Sequence, residues 1–255
     1  MLFALTRAVS ASIVDCQLTH VARQPIDVAR ATAEHQAYER LLGELGATVQ
    51  RVAAAPDLPD AVFVEDAAVV FDEIAVIAYP GAVSRRAETA AVAACLAGHR
   101  PIARIEPPGT LDGGDVLVVD RTVFVGQSTR TNDAAARQLR DIMSPRGYRV
   151  VTLAVTKCLH LKTAVSRVAD RVLLINPDWV DAEAFGGYEM VTVDPAEPQA
   201  ANALLLGGRV MHPRHFPRTR ARLEAAGLSV VPVAMDELAK AEAGITCCSI
   251  LFGAA

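Results

Sequence analysis

Apolar residues along this chain fall into short alternating runs rather than long blocks. Two such runs flank a tight polar turn in VEDAAVVF-DE-IAVIAYP, with the turn at Asp72. The form returns at DVLVV-DR-TVFVG (turn at Asp120), AVSRV-AD-RVLLI (Ala169) and NALLL-GG-RVMHP (Gly207). Alternation bounded by turn residues predicts β-hairpins. After each hairpin the apolar period changes to i, i+3, i+4, which predicts a helix. Ser84 is placed to cap one with Val92, Cys95 and Leu96 on a single face and Gly98 at its end. Asn132 is placed to cap the next, with Leu139, Ile142 and Met143 in phase and Pro145 and Gly147 stopping it. Asp181 to Phe185 reads as a shorter segment, and Pro217 starts a helix that Gly227 ends.

Residues 28–45 read as a fifth helix, with Tyr38, Leu41, Leu42 and Leu45 in phase and Gly46 after them. Its hairpin needs one strand from ITCCSILF at one end of the chain and one from LFALTRAVS at the other. Five ββαβ-type units of about 50 residues each then account for the whole sequence. The expected fold is an α/β chain forming a five-fold pseudosymmetric α/β propeller. It closes through the termini and makes one domain of residues 1–255. Rings of repeats of this kind solve the edge-strand problem by leaving only short, protected edges.

Composition narrows the function. Of 255 residues, 52% are apolar and 21% charged, enough for a large core. The net charge is −4, and no stretch combines basic charge with aromatics, which argues against nucleic acid. No apolar run approaches the roughly 18–20 residues of a membrane span. The start, MLFALTRAVS, does not read as a secretory signal. Five cysteines, an odd number, point to reduced thiols and a cytoplasmic location. None has zinc-ligand spacing, so no metal and no cofactor is expected.

Unusual residues gather at one place in each unit, the start of the first strand. Glu65 and Asp66 interrupt an apolar run. Side chains alternate across a strand, so at least one of the two lines a cavity or meets a cation. LDGGDVLVV sets Asp112 and Asp115 around Gly113 and Gly114, a pattern for close backbone approach. His160 lies between leucines, and Cys247 and Cys248 are adjacent. Singly, each has a plain structural explanation: a strand end, a decorated turn, a core histidine, packed thiols. In a closed ring, however, equivalent ends converge on the axis. A thiol, an imidazole and carboxylates would then share one pocket suited to nucleophilic catalysis on a cationic group. Arg85, Arg86 and Arg130 lie near helix starts, where the macrodipole does not favour cations. Either they are surface residues or they bind an anion. In the second case the ligand carries a cation at one end and a carboxylate at the other, as a guanidinium amino acid does.

FVEDAAVV, PGAVSRR, LDGGDVLVVDRTVFVGQSTRTN, LHLKTA and TCCSILF together resemble the dimethylarginine dimethylaminohydrolase (dimethylargininase) family, from about Leu18 to the C-terminus. That family is similar in fold to arginine deiminases and amidinotransferases, which are five-fold α/β propellers. The resemblance implies Cys247 as nucleophile, His160 as general acid/base and Asp112 as the carboxylate that holds the imidazole. It implies Asp60, Glu65 and Asp66 around the guanidinium, Phe63 lining the pocket, and Arg85 and Arg130 on the α-carboxylate. Leu18 would lie on a mobile lid, and Ala241 and Glu242 would meet the α-amino end. The implied substrate is a small N-methylated arginine, and the implied product citrulline. The oligomeric state is left open, a homodimer included. The nearest alternative is an arginine deiminase-like enzyme releasing ammonia. Those enzymes resemble one another in a His-x-Asp motif, where this chain has His160-Leu161-Lys162. A non-enzymatic protein that binds arginine derivatives is the other alternative.

Overall fold

The computed structural model describes residues 1–254. Fifteen strands form five three-stranded sheets, and each sheet is built the same way. Two strands pair antiparallel as a hairpin, and a third returns parallel to the second after a crossover. The second sheet is β3 (Ala68–Val70), β4 (Ala75–Ile77) and β5 (Ile102–Arg104). The third is β6 (Val116–Val119), β7 (Thr122–Gln127) and β8 (Arg149–Ala154). The fourth is β9 (Val165–Ala169), β10 (Val172–Ile175) and β11 (Glu189–Thr192). The fifth is β12 (Leu204–Leu206), β13 (Arg209–Pro213) and β14 (Val230–Val233). The first sheet joins the chain ends. Its β1 (Leu2–Thr6) pairs antiparallel with β15 (Ile250–Gly253) and parallel with β2 (Ala47–Arg51). The first strands of all five hairpins line one channel of about 270 Å³. This is a five-fold pseudosymmetric α/β propeller.

Turn and cap chemistry explain the repeat. The hairpin turns place Asp120, Arg171, Gly207 and Gly208 at positive φ, which the right-handed strand twist favours. The crossover helices are α1 (Val28–Glu44), α2 (Thr89–Leu96), α3 (Asp133–Met143) and α5 (Pro217–Ala225). In the fourth unit a 3₁₀ turn, Ala182–Phe185, takes that place, and the one-turn α4 (Leu161–Ala164) precedes β9. Asn132 caps α3 by accepting the Ala135 N–H, as its position predicts. The second crossover departs from expectation. Ser84 caps nothing, because Val83–Glu88 winds as a 3₁₀ helix and α2 begins only at Thr89. The tighter turn puts Arg85 and Glu88, three residues apart, on the same inward side.

Apolar clusters fill the spaces between neighbouring sheets. One joins Leu5, Ile250 and Phe252 of the closing sheet to Ala75, Ile77, Val92 and Leu96 of the next unit. No helix among the described residues is long and apolar enough to cross a membrane.

Candidate active site

Asp66 and Cys247 sit on short turns just before first strands, and Asp112 and His160 stand at the heads of two more, none of them on the strands themselves. Val64–Ala67, Gly113–Asp115 and Thr246–Cys248 are 3₁₀ turns, and α4 holds the equivalent place in the fourth unit. A 3₁₀ turn rotates successive side chains by about 120°. Neighbouring residues therefore still part ways. Cys248 is fully buried in the core, while Cys247 lines a cavity with Asp60, Phe63, Asp66, Arg85, Arg130, His160, Ala241 and Glu242. Glu65 and Asp66 part in the same manner, and this corrects one expectation. Glu65 does not face that cavity. It lines the channel on the other side of the ring, where Lys162 donates to it at 2.6 Å and the Thr246 hydroxyl at 2.8 Å.

His160 is buried between two carboxylates. Its Nε2 lies 3.2 Å from Asp112 Oδ2, and its Nδ1 lies 3.8 Å from Asp66 Oδ1. Asp112 is held in turn by the Gly81 N–H at 3.0 Å. The Gly114 N–H donates to Asp66 at 2.9 Å. A Cβ on Gly114 would lie 2.6 Å from His160 Nδ1, so only glycine allows this approach. Burial opposes the imidazolium, but Asp66, Asp112 and Asp115 outweigh it and raise His160 to about 9. Burial also opposes the Asp66 carboxylate, yet His160, Arg85 and the Gly114 N–H bring it down to about 2. Burial, followed by the charges of Glu65 and Asp66, pushes the Cys247 thiol well above the ordinary thiol range. The Gly244 N–H donates to its sulfur at 3.3 Å. At neutral pH the resting pair is thus a thiol and an imidazolium. Ligand-capable atoms of Asp66, Asp112 and His160 lie within 4.8 Å of one another. Both carboxylates are already met by backbone N–H groups, Arg85 and the imidazole, so the cluster is balanced by the protein itself.

Arg85 lines the cavity as well. It is buried, and it donates to Asp66, to Glu88 at 2.8 Å and to the carbonyl of Phe63 at 3.0 Å. A guanidinium engaged this way balances internal carboxylates. Arg130 has fewer internal partners. It donates to the Thr19 hydroxyl at 3.2 Å and lies 3.9 Å from Asp112. Replacing Arg85 with alanine should therefore destabilise the fold by about 3–5 kcal/mol, because Glu88 would be left buried and unpaired and Asp66 would keep only the Gly114 N–H and the imidazole. Urea unfolding at neutral pH measures this. The difference should shrink as acid protonates those carboxyls.

A strap over the cavity completes the site. Asp60 accepts the Gln17 N–H at 3.1 Å, and Glu242 accepts those of Thr19 at 2.7 Å and His20 at 2.9 Å. Gln17 lines the cavity. Leu18, between the two anchors, packs partly buried on the neighbouring apolar cluster. The Glu242 side chain thus grips the strap rather than facing the pocket alone. The cavity measures about 20 Å³, room for about one water. Sequence reasoning missed Gln17, Glu88, Leu159 and Ala243. Only Glu88 carried a signal, its three-residue spacing from Arg85.

A closed ring of five repeats with a thiol, an imidazole and carboxylates converging at one end defines the guanidine-modifying α/β-propeller enzymes. Residues 15–189 match the profile described as N,N dimethylarginine dimethylhydrolase, eukaryotic. An N(G),N(G)-dimethylarginine dimethylaminohydrolase of Streptomyces coelicolor is 39% identical, covering 97% of this chain and 95% of that one. Its counterpart in Pseudomonas aeruginosa is 32% identical, covering 97% and 98%. A solved structure of a Pseudomonas aeruginosa enzyme, a cysteine-to-serine mutant complexed with citrulline, superposes with a TM-score of 0.93 at 32% identity, covering 98% of both chains. The N-terminal domain of a cyanobacterial arginine dihydrolase, at 18% identity and a TM-score of 0.86, shares the fold alone. The chain belongs to the dimethylarginine dimethylaminohydrolase family.

Proposed function

We propose that this protein hydrolyses N-methylated arginines to L-citrulline and dimethylamine or methylamine. The observation that carries the reading is that Cys247, His160, Asp60 and Asp66 line one cavity. The whole chain acts as one catalytic domain, since β15 and β1 close the ring from opposite ends of the sequence.

The chemistry follows from the charges. The buried carboxylates Asp60 and Asp66 favour a guanidinium and fix its plane. Arg130, on the strap side, meets the α-carboxylate, and Ala241 lines the amino end. A bound cation beside Cys247 stabilises its thiolate, and the thiol proton passes to water, where the released amine later takes one up. The sulfur attacks the guanidinium carbon and forms a C–S bond. His160, already protonated, gives its proton to the departing amine as the C–N bond breaks. A covalent thiouronium remains. Neutral His160 then takes a proton from water, whose oxygen attacks the same carbon. The C–S bond breaks, citrulline leaves, and the hydroxyl proton restores the thiol. Asp112 holds the imidazole through both transfers. All five cysteines are free thiols, which accords with a reducing cytoplasm.

Incubation with asymmetric dimethylarginine, monomethylarginine and arginine tests the reading. Equal amounts of citrulline and dimethylamine from the first substrate are expected. Ammonia from arginine as the main product would replace it with the deiminase reading.

A further inference from the structure

The mechanism above leaves Asp115 without a task. It is fully buried, three residues beyond Asp112 on the same turn. Its Oδ1 accepts the N–H of Leu161, the residue after His160, at 2.9 Å. Its Oδ2 accepts the Ser128 hydroxyl at 2.6 Å. Ser128 Oγ in turn accepts the N–H of Arg130 at 3.0 Å and of Thr131 at 3.3 Å. Thr131 Oγ1 accepts the Asp112 N–H at 3.1 Å, and Asp112 returns to His160 at 3.2 Å. The bonds form a closed circuit through His160, Asp115, Ser128, Thr131 and Asp112. Gly126 leaves room for it, since a Cβ there would lie 2.9 Å from Leu161 Cβ and 3.0 Å from Asp115 Oδ1.

We propose that Asp115 is a positioning residue that holds the acid/base imidazole of His160 and the carboxylate-binding Arg130 in one register, fixing the span between the two ends of the substrate. The inference rests on the methylarginine reading and extends it. A carboxylate is required because both of its partners are donors. Leu161 offers an N–H and Ser128 a hydroxyl proton, and the Ser128 oxygen already takes two N–H groups. An asparagine of the same shape would turn an amide NH₂ toward one of these donors and break the circuit there. Burial pushes Asp115 to about 6, which leaves it ionised near neutral pH.

The readout is the ratio of kcat/KM for monomethylarginine to that for its decarboxylated analogue, monomethylated agmatine. Only the first can use both ends of the register. Asp115→Asn should reduce the ratio by roughly tenfold, the size of coupling found within one hydrogen-bond network. Ser128→Ala, which keeps the Asp115–Leu161 bond but releases the N–H groups of Arg130 and Thr131, should reduce it in the same direction and decides the matter if Asp115→Asn does not fold. A general loosening of the fold would lower both rates and leave the ratio alone. A wild-type ratio near one, or a ratio changed by less than about twofold in the folded variants, overturns the inference while the methylarginine reading stands. Wild-type protein that forms no citrulline from either substrate overturns both.

Discussion

Cys247→Ser should lower citrulline formation from asymmetric dimethylarginine at least about 10³-fold, the scale of losing a catalytic nucleophile. Cys248→Ser should keep most of the activity. The two cysteines are adjacent, yet the 3₁₀ turn sends Cys247 to the cavity and Cys248 into the apolar cluster with Tyr38, Leu42 and Ile245. The serine at 247 is nearly isosteric, so the Cys247→Ser variant should unfold with an unchanged midpoint and still bind substrate. Its hydroxyl, however, ionises far less readily than a thiol beside a bound cation. Wild-type turnover in Cys247→Ser would refute the mechanism. Loss of turnover in a folded Cys248→Ser would mean the other thiol is the nucleophile. The pH dependence of alkylation adds an independent check. Burial and the neighbouring Glu65 and Asp66 raise the Cys247 thiol. With a neutral reagent such as iodoacetamide, its reaction should therefore be slow at neutral pH and rise only in the alkaline range. Asp66, Asp112 and Asp115 keep His160 protonated until about 9, below the range in which the thiol ionises. A half-maximal rate near neutral pH would show a preformed thiolate and remove the need for substrate to induce it.

Deleting residues 250–255 should abolish the folded state. The deletion removes β15, the antiparallel partner of Leu2 to Leu5, and the Gly253 carbonyl that accepts from buried Arg100 at 2.7 Å. It also removes Ile250 and Phe252 from the cluster between the first two units. Truncating a buried side chain of this kind costs roughly 2–5 kcal/mol. Two such losses and an opened sheet edge approach the total stability of a typical domain, about 5–15 kcal/mol. Circular dichroism in the near-ultraviolet should lose its fixed signal, and thermal unfolding its cooperativity. Cys247 remains in the shortened chain, so loss of activity would report the broken closure and not a missing nucleophile. A cooperative melt close to that of the full chain would show that the ring does not depend on pairing of its ends.

The hairpins, their spacing and the Asn132 cap were legible because each is a local preference. Gly207-Gly208 or Asp120-Arg121 between alternating apolar runs makes a turn in almost any surroundings. The ring followed from counting those units, and convergence of Cys247, His160 and the carboxylates followed from the ring. The place of Glu65 and the internal partners of Arg85 were not legible, for a different reason. Except for Glu88, their partners lie beyond the reach of any local pattern. Lys162 and Thr246 draw Glu65 to the opposite channel, and Asp66 and Glu88 enclose Arg85.

Sequence alone thus determined the repeat, its closure through the termini and the residue types that meet at the axis, since periodicity and turn chemistry act over a few residues. The tertiary structure decided which way each charged group faces, how the strap at Gln17 to His20 is anchored, and that Asp115 ties the His160 turn to the Arg130 loop. Those choices are made by hydrogen bonds between different units of the ring. A buried charge takes whichever partner the packed fold brings within reach, and no local pattern records that partner.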